Sequence, residues 1–132
     1  MANKKRVMIV DDDLDILLSL KELLEANGYK VYSFDNGNDF LKALSEGKKP
    51  TLVILDIMMP EMSGWEIQRI LKENPKWKKI PIIFLTARST ETAREMYEQY
   101  GIDYILKPFD IKDFLNRINT FLINSKYVTR VL

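Results

Sequence analysis

The chain has 132 residues, 46% hydrophobic and 30% charged, with few glycines and prolines, the balance of one soluble globular domain rather than a disordered or fibrous chain. Its 20 Lys and Arg against 19 Asp and Glu give a net charge of +1, which supplies no general attraction to nucleic acid or an anionic membrane, so neither is expected as a direct partner. Without Cys or His the chain can build no disulfide, no Ser-His or Cys-His pair, no His-ligated metal site and no phosphohistidine, and the lack of Cys fits a reducing cytoplasm.

In chain order, the polar start from Met1 to Arg6 leads into an apolar run at 7–10, too short for a signal or spanning segment, so a cytoplasmic location is expected. Asp13 can cap a first helix in which Asp15 is a favourable first-turn charge, Ile16, Leu17, Leu20, Leu23 and Leu24 form the apolar stripe, and Gly28 is the stop. A second strand at 31–34 carries Tyr32 and Ser33 and reads as an edge. Asn38 precedes Phe40, Leu41 and Leu44 of a second helix terminated by Gly47. The third strand, 52–55, is almost purely apolar. Ser63 with Glu66 resembles a capping box opening a third helix of Ile67, Ile70 and Leu71, which Pro75 closes. A fourth apolar strand spans 82–85. Ser89 or Thr90 can cap a fourth helix that ends at Gly101. A fifth strand at 104–106 follows, and Asp110 caps a fifth helix with Ile111, Phe114, Leu115, Ile118, Phe121 and Leu122 on one stripe.

Apolar, β-branched runs alternating with helical periods predict βαβ units and a parallel sheet, the first, third and fourth strands at its centre because both of their faces must be covered. One domain is expected over residues 1–124, with a short tail at 125–132.

In such a sheet ligands bind at the carboxyl ends of the strands. There the first strand delivers Asp11 and Asp12, the third Asp56, the fourth Thr86 and the fifth Lys107. Each has a bland reading when taken singly: a loop carboxylate, a turn hydroxyl, a surface lysine. Agreement of four strand ends outweighs them. Gathered carboxylates repel one another unless a cation neutralises them, and a small all-oxygen donor set suits Mg²⁺. Lys107 and Thr86 could hold the oxygens of a transferring phosphoryl group, for which the carboxylate of Asp56, ending the central strand, is the best nucleophile.

The motifs Val10-Asp11-Asp12-Asp13, Asp56-Ile57-Met58-Met59-Pro60 with Gly64, Leu85-Thr86-Ala87 and Lys107-Pro108-Phe109 together resemble the receiver domain of two-component response regulators over about residues 5–123. The resemblance implies a CheY-like, flavodoxin-like (βα)5 sandwich of strand order 2-1-3-4-5 that takes a phosphoryl group from a histidine kinase or phosphotransfer protein. It further implies Asp56 as phosphoacceptor, Asp12 as direct magnesium ligand, Asp11 as a ligand through water and the Met58 carbonyl as the remaining protein ligand. Thr86 and Lys107 are then the phosphoryl-holding residues, and Lys107-Pro108 a cis bond. Thr86 and Tyr104 would be the switch that reshapes the face of the fourth helix, fifth strand and fifth helix, which meets an output protein or a second copy. Met58 and Arg88 occupy positions that tune phosphoryl lifetime, and apolar Met58, unable to position a water, implies slow decay.

The chain is therefore expected to catalyse only its own phosphorylation and dephosphorylation, and to act by protein contact or as part of a longer regulator. Two rival readings stand beside this one. Asp11 and Asp13 loosely match the paired aspartates of haloacid-dehalogenase-type phosphatases, although Leu14-Asp15 departs from that pattern. A receiver fold can also serve as a non-phosphorylated interaction module.

Overall fold

The computed structural model describes residues 5–86 and 103–124. The predicted fourth helix, Arg88 and the tail at 125–132 lie outside the described residues, and of Thr86 and Tyr104 only the backbone is described. The elements run β1 (Arg6–Val10), α1 (Leu14–Ala26), β2 (Lys30–Phe34), α2 (Gly37–Ser45), β3 (Leu52–Asp56), α3 (Gly64–Glu73), β4 (Ile82–Thr86), β5 (Asp103–Leu106) and a C-terminal helix (Ile111–Asn124).

All strand pairs are parallel and the order is β2-β1-β3-β4-β5, as expected, with the three apolar strands central and β2 at an edge. Alternation along each strand sorts the core into two layers. Val7, Ile9, Ile54, Ile83 and Leu85 pack with α1 and the C-terminal helix, whereas Met8, Val10, Val53, Leu55 and Phe84 pack with Phe40 and Leu44 of α2 and Ile67 and Leu71 of α3. This is a doubly wound three-layer α/β fold of flavodoxin-like order. The strand order turns back between β1 and β3, and a crevice opens at that point outside their carboxyl ends.

Most helix boundaries follow the expected caps. Asp13 accepts from the N–H groups of Asp15 and Ile16 at 3.0 and 3.2 Å, and Asp110 from Asp113 N–H at 2.9 Å. Ser63 Oγ accepts from Glu66 N–H at 3.3 Å. Two expectations are corrected. The cap of α2 is Asn36, whose extended backbone lets its side chain accept from Asp39 N–H at 2.8 Å, and Asn38 lies inside the first turn. Ile111 is not on the buried stripe: as the first residue of its helix it is 61% exposed, while Phe114, Ile118, Phe121 and Leu122 are buried.

Candidate functional site

Three consecutive aspartates leave β1 and take three different environments. Asp11 is fully buried and its Oδ1 accepts from Asp13 N–H at 2.9 Å, which fixes the loop. Asp12 is exposed, and Asp13 is spent on the cap of α1. From the neighbouring strand β3, Asp56 brings a carboxylate that is only 4% exposed. Carboxylate oxygens of Asp11, Asp12 and Asp56 all lie within 4.8 Å of one another.

Lys107, just past β5, reaches across the sheet end. Its Nζ lies 2.9 Å from Asp11 Oδ2 and 3.5 Å from Asp56 Oδ1. The Lys107-Pro108 bond is cis, as expected. Thr86 ends β4 one residue beyond Leu85, the partner of Asp56 in the sheet register, so its backbone stands beside the carboxylates. Tyr104 is paired in register with Phe84 in the neighbouring strand. Met58 lies in the loop after Asp56 with its side chain 56% exposed.

The loop that returns from Asp56 to α3 is held by Gly64, whose N–H donates to the Ile57 carbonyl at 2.9 Å. A Cβ on Gly64 would stand 2.3 Å from the Asp56 carbonyl oxygen and 2.9 Å from Ile57 Cα, so only glycine lets α3 approach the site this closely.

Burial and the charges of Asp11 and Asp12 push the Asp56 carboxyl up to about 6, against the opposing pull of Lys107. Burial by itself would lower the Lys107 ammonium, but its hydrogen bonds and charge contacts to Asp11 and Asp56 outweigh this and raise it. The cluster therefore holds more negative charge than Lys107 offsets, and a further cation would relieve it. The donor set fits a hard divalent ion. Asp11 is already engaged by Lys107 and by the Asp13 amide, which leaves Asp12 and Asp56 as the carboxylates with free oxygens, and exposed Asp12 leaves room for the waters that Mg²⁺ retains.

Removing the lysine leaves buried Asp11 without its cation. Lys107→Ala is expected to lose about 2–3 kcal/mol near neutral pH in chelator, less than the roughly 3–5 kcal/mol for breaking a fully buried pair, because Lys107 retains solvent contact. Urea unfolding measures it, and excess Mg²⁺ should recover part of the loss.

Four large apolar side chains are exposed among the described residues: Leu14 and Leu18 on α1, Met58 in the loop after β3, and Ile111 at the start of the C-terminal helix. The phase of Leu14 and Leu18, off the stripe of Leu17, Leu20 and Leu24, marks them as exposed in the sequence.

The doubly wound sheet, with an acidic crevice at its switch point gripped by one lysine, defines an α/β protein whose three clustered carboxylates could hold a metal ion. Response regulator receiver domain is the family whose sequence profile matches residues 7–119. The chain is 35% identical over 118 residues to protein PilH of Pseudomonas aeruginosa, covering 89% of this chain and 97% of that one. It is also 35% identical to the transcriptional regulatory protein GltR of the same organism, over 96% of this chain but 52% of GltR, so it spans about half of that relative. The crystal structure of a histidine kinase's signal receiver domain from Syntrophus aciditrophicus superposes with a TM-score of 0.81 at 30% identity, over 97% of both chains. The chain belongs to the response regulator receiver domain family of two-component systems. Among the described residues no helix is long and apolar enough to cross a membrane.

Proposed function

We propose that the chain is a phosphorylation-driven switch in which Asp56 accepts a phosphoryl group from a phosphohistidine on a separate kinase or phosphotransfer protein. The observation that carries this reading is the placement of Lys107 Nζ 2.9 Å from Asp11 and 3.5 Å from Asp56, at the mouth of a cluster of three carboxylates. Asp56 is the nucleophile: a carboxylate oxygen forms the new bond to phosphorus, the donor's P–N bond breaks, and its electron pair returns to an imidazole that takes up a proton. A phosphohistidine donor must lie outside these 132 residues, which contain no His.

Asp12, Asp56 and the Met58 carbonyl would hold Mg²⁺ directly and Asp11 through water. The bound ion would supply charge neutralisation between the carboxylates and the incoming phosphoryl oxygens. Lys107, already poised between Asp11 and Asp56, turns to those oxygens as charge arrives at Asp56, and Thr86 adds a hydroxyl donor. Tyr104 follows Thr86, which carries the change to the face around β5 and the C-terminal helix, where an output partner or a second copy binds. Leu14, Leu18, Met58 and Ile111 offer the donor protein an apolar landing around the rim. The chain turns over no separate substrate and works in the cytoplasm.

Intact mass after incubation with acetyl phosphate tests the reading. Wild type should gain one labile phosphoryl group with Mg²⁺ and none with excess chelator, and Asp56→Asn should gain none in either. No uptake by wild type in Mg²⁺, with no binding of beryllofluoride, would overturn the reading in favour of a non-phosphorylated interaction module. Steady release of phosphate from a monoester would instead indicate a phosphatase.

A further inference from the structure

We propose that the end of the sheet opposite Asp56 carries a docking groove for an acidic polypeptide segment that bears an apolar anchor residue. The groove has a volume of about 900 Å³ and runs between the end of α2 and the loop joining α3 to β4. Pro50 and Pro81, which line it, sit just before β3 and β4, so it opens at the amino ends of these strands, about a strand's length from the carboxylates. It therefore does not rest on the phosphoacceptor reading.

Its apolar wall is made by Leu44, Pro50, Trp77, Ile80 and Pro81. Leu44 and Pro50 are buried, whereas Trp77 and Ile80 are half-buried and packed on the core layer beneath α2 and α3. Four lysines also line it, Lys48, Lys49, Lys76 and Lys79, and no acidic residue belongs to the lining. All four are exposed, and among the described residues none forms an ion pair; Lys48 stands 4.8 Å over the ring of Tyr32. The turn that carries the last two is pinned, with Lys72 Nζ donating to the Lys78 carbonyl at 3.2 Å and Lys76 N–H to Asn74 Oδ1 at 2.8 Å.

The net charge of +1 conceals this arrangement. Asp11, Asp12, Asp13, Asp35, Asp39 and Asp56 all lie at or just beyond the carboxyl ends of their strands, and the lysines of the groove lie at the other end. The Asp cluster and the four lysines of the groove thus stand at opposite ends of the sheet, and the local surplus of lysine around the groove attracts anions.

Wall and rim together select the occupant. Carboxylates match the four lysines, none of which forms an ion pair among the described residues, while an apolar side chain fills the space beside Trp77 and the prolines. A nucleic-acid strand would set polar base edges or phosphates against Leu44, Pro50, Ile80 and Pro81, which offer no side-chain hydrogen bond, and such desolvation is costly. A membrane surface is too flat to reach the recessed wall.

The test titrates the unphosphorylated chain with a decapeptide of Asp and Glu flanking a central Phe-Leu pair, read by amide NMR shifts and fluorescence anisotropy. Shifts confined to residues 44–50 and 74–81 are expected. Affinity should fall at least about tenfold in Lys48→Glu/Lys79→Glu, the loss of about 1.4 kcal/mol, with uptake of phosphate at Asp56 unchanged. A peptide carrying Lys in place of the acids should not bind. The proposal fails if the acidic peptide leaves these amides unmoved, or if charge reversal does not weaken it. It fails equally if oligothymidine or phosphatidylglycerol vesicles bind this face more tightly than the peptide.

Discussion

Asp56→Asn is expected to make the metal-free protein more stable than wild type by about 2 kcal/mol near neutral pH, roughly 6–10 °C in Tm for a domain of this size. The reason lies in the cost of ionising Asp56 where burial and the charges of Asp11 and Asp12 oppose it. Displacement of its carboxyl from 3.8 to about 6, the pull of Lys107 already included, corresponds to roughly 3 kcal/mol, from which the cost of burying the Asn amide is deducted. The sign follows from the raised value. Below 3.8 the carboxyl is neutral in folded and unfolded chain alike, and its favourable contribution is fully present. As pH rises from there through about 6, the unfolded chain releases a proton that the folded site still retains, and stability is lost. Asn has no such dependence. Melting curves across this range in chelator should therefore show the variant's advantage open as pH rises and close as it falls. Added Mg²⁺ should raise the wild-type Tm more than the variant's. An advantage independent of pH would show that Asp56 carries no ionisation penalty.

Gly64→Ala should cost about 3 kcal/mol or more, the upper end for overpacking, because the added methyl meets backbone rather than a movable side chain. The contact of 2.3 Å with the Asp56 carbonyl can be relieved only by shifting α3 or the end of β3. Helix propensity predicts the opposite sign, since Ala in an exposed helix is better than Gly by up to about 1 kcal/mol. The direction of the change thus decides which effect rules. Denaturant midpoints at unchanged m-value measure it, with Ser63→Ala as a reference that removes only the cap and costs about 1 kcal/mol. Displacement of Asp56 should also slow phosphoryl uptake in Gly64→Ala but leave it near normal in Ser63→Ala. A Gly64→Ala protein as stable as wild type would mean that α3 stands further from the site than described.

Such site consequences were only partly legible in the chain. The alternation of apolar runs with helical periods, the caps at Asp13, Ser63 and Asp110, and the polar residues at four strand ends are local signals, spread over a few residues, and they were enough for the sheet, its central strands and the place to look. The tertiary structure decided the rest. Asp11 and Asp12 look alike in sequence, yet the end of β1 buries one and exposes the other. The ion pair that distinguishes Asp11 joins residues 96 positions apart. Local pattern also misplaced the α2 cap and put Ile111 on a buried stripe, because whether a first-turn side chain meets the core depends on what lies beside it. Glu61, at φ 67°, gave no signal of its left-handed backbone, since its residue type does not call for one. Composition recorded a net charge of +1, a sum without direction. Folding placed the three clustered aspartates at one end of the sheet and the four lysines of the groove at the other, because the chain's turns alternate between those ends while its local sequence records only the order in which they are reached.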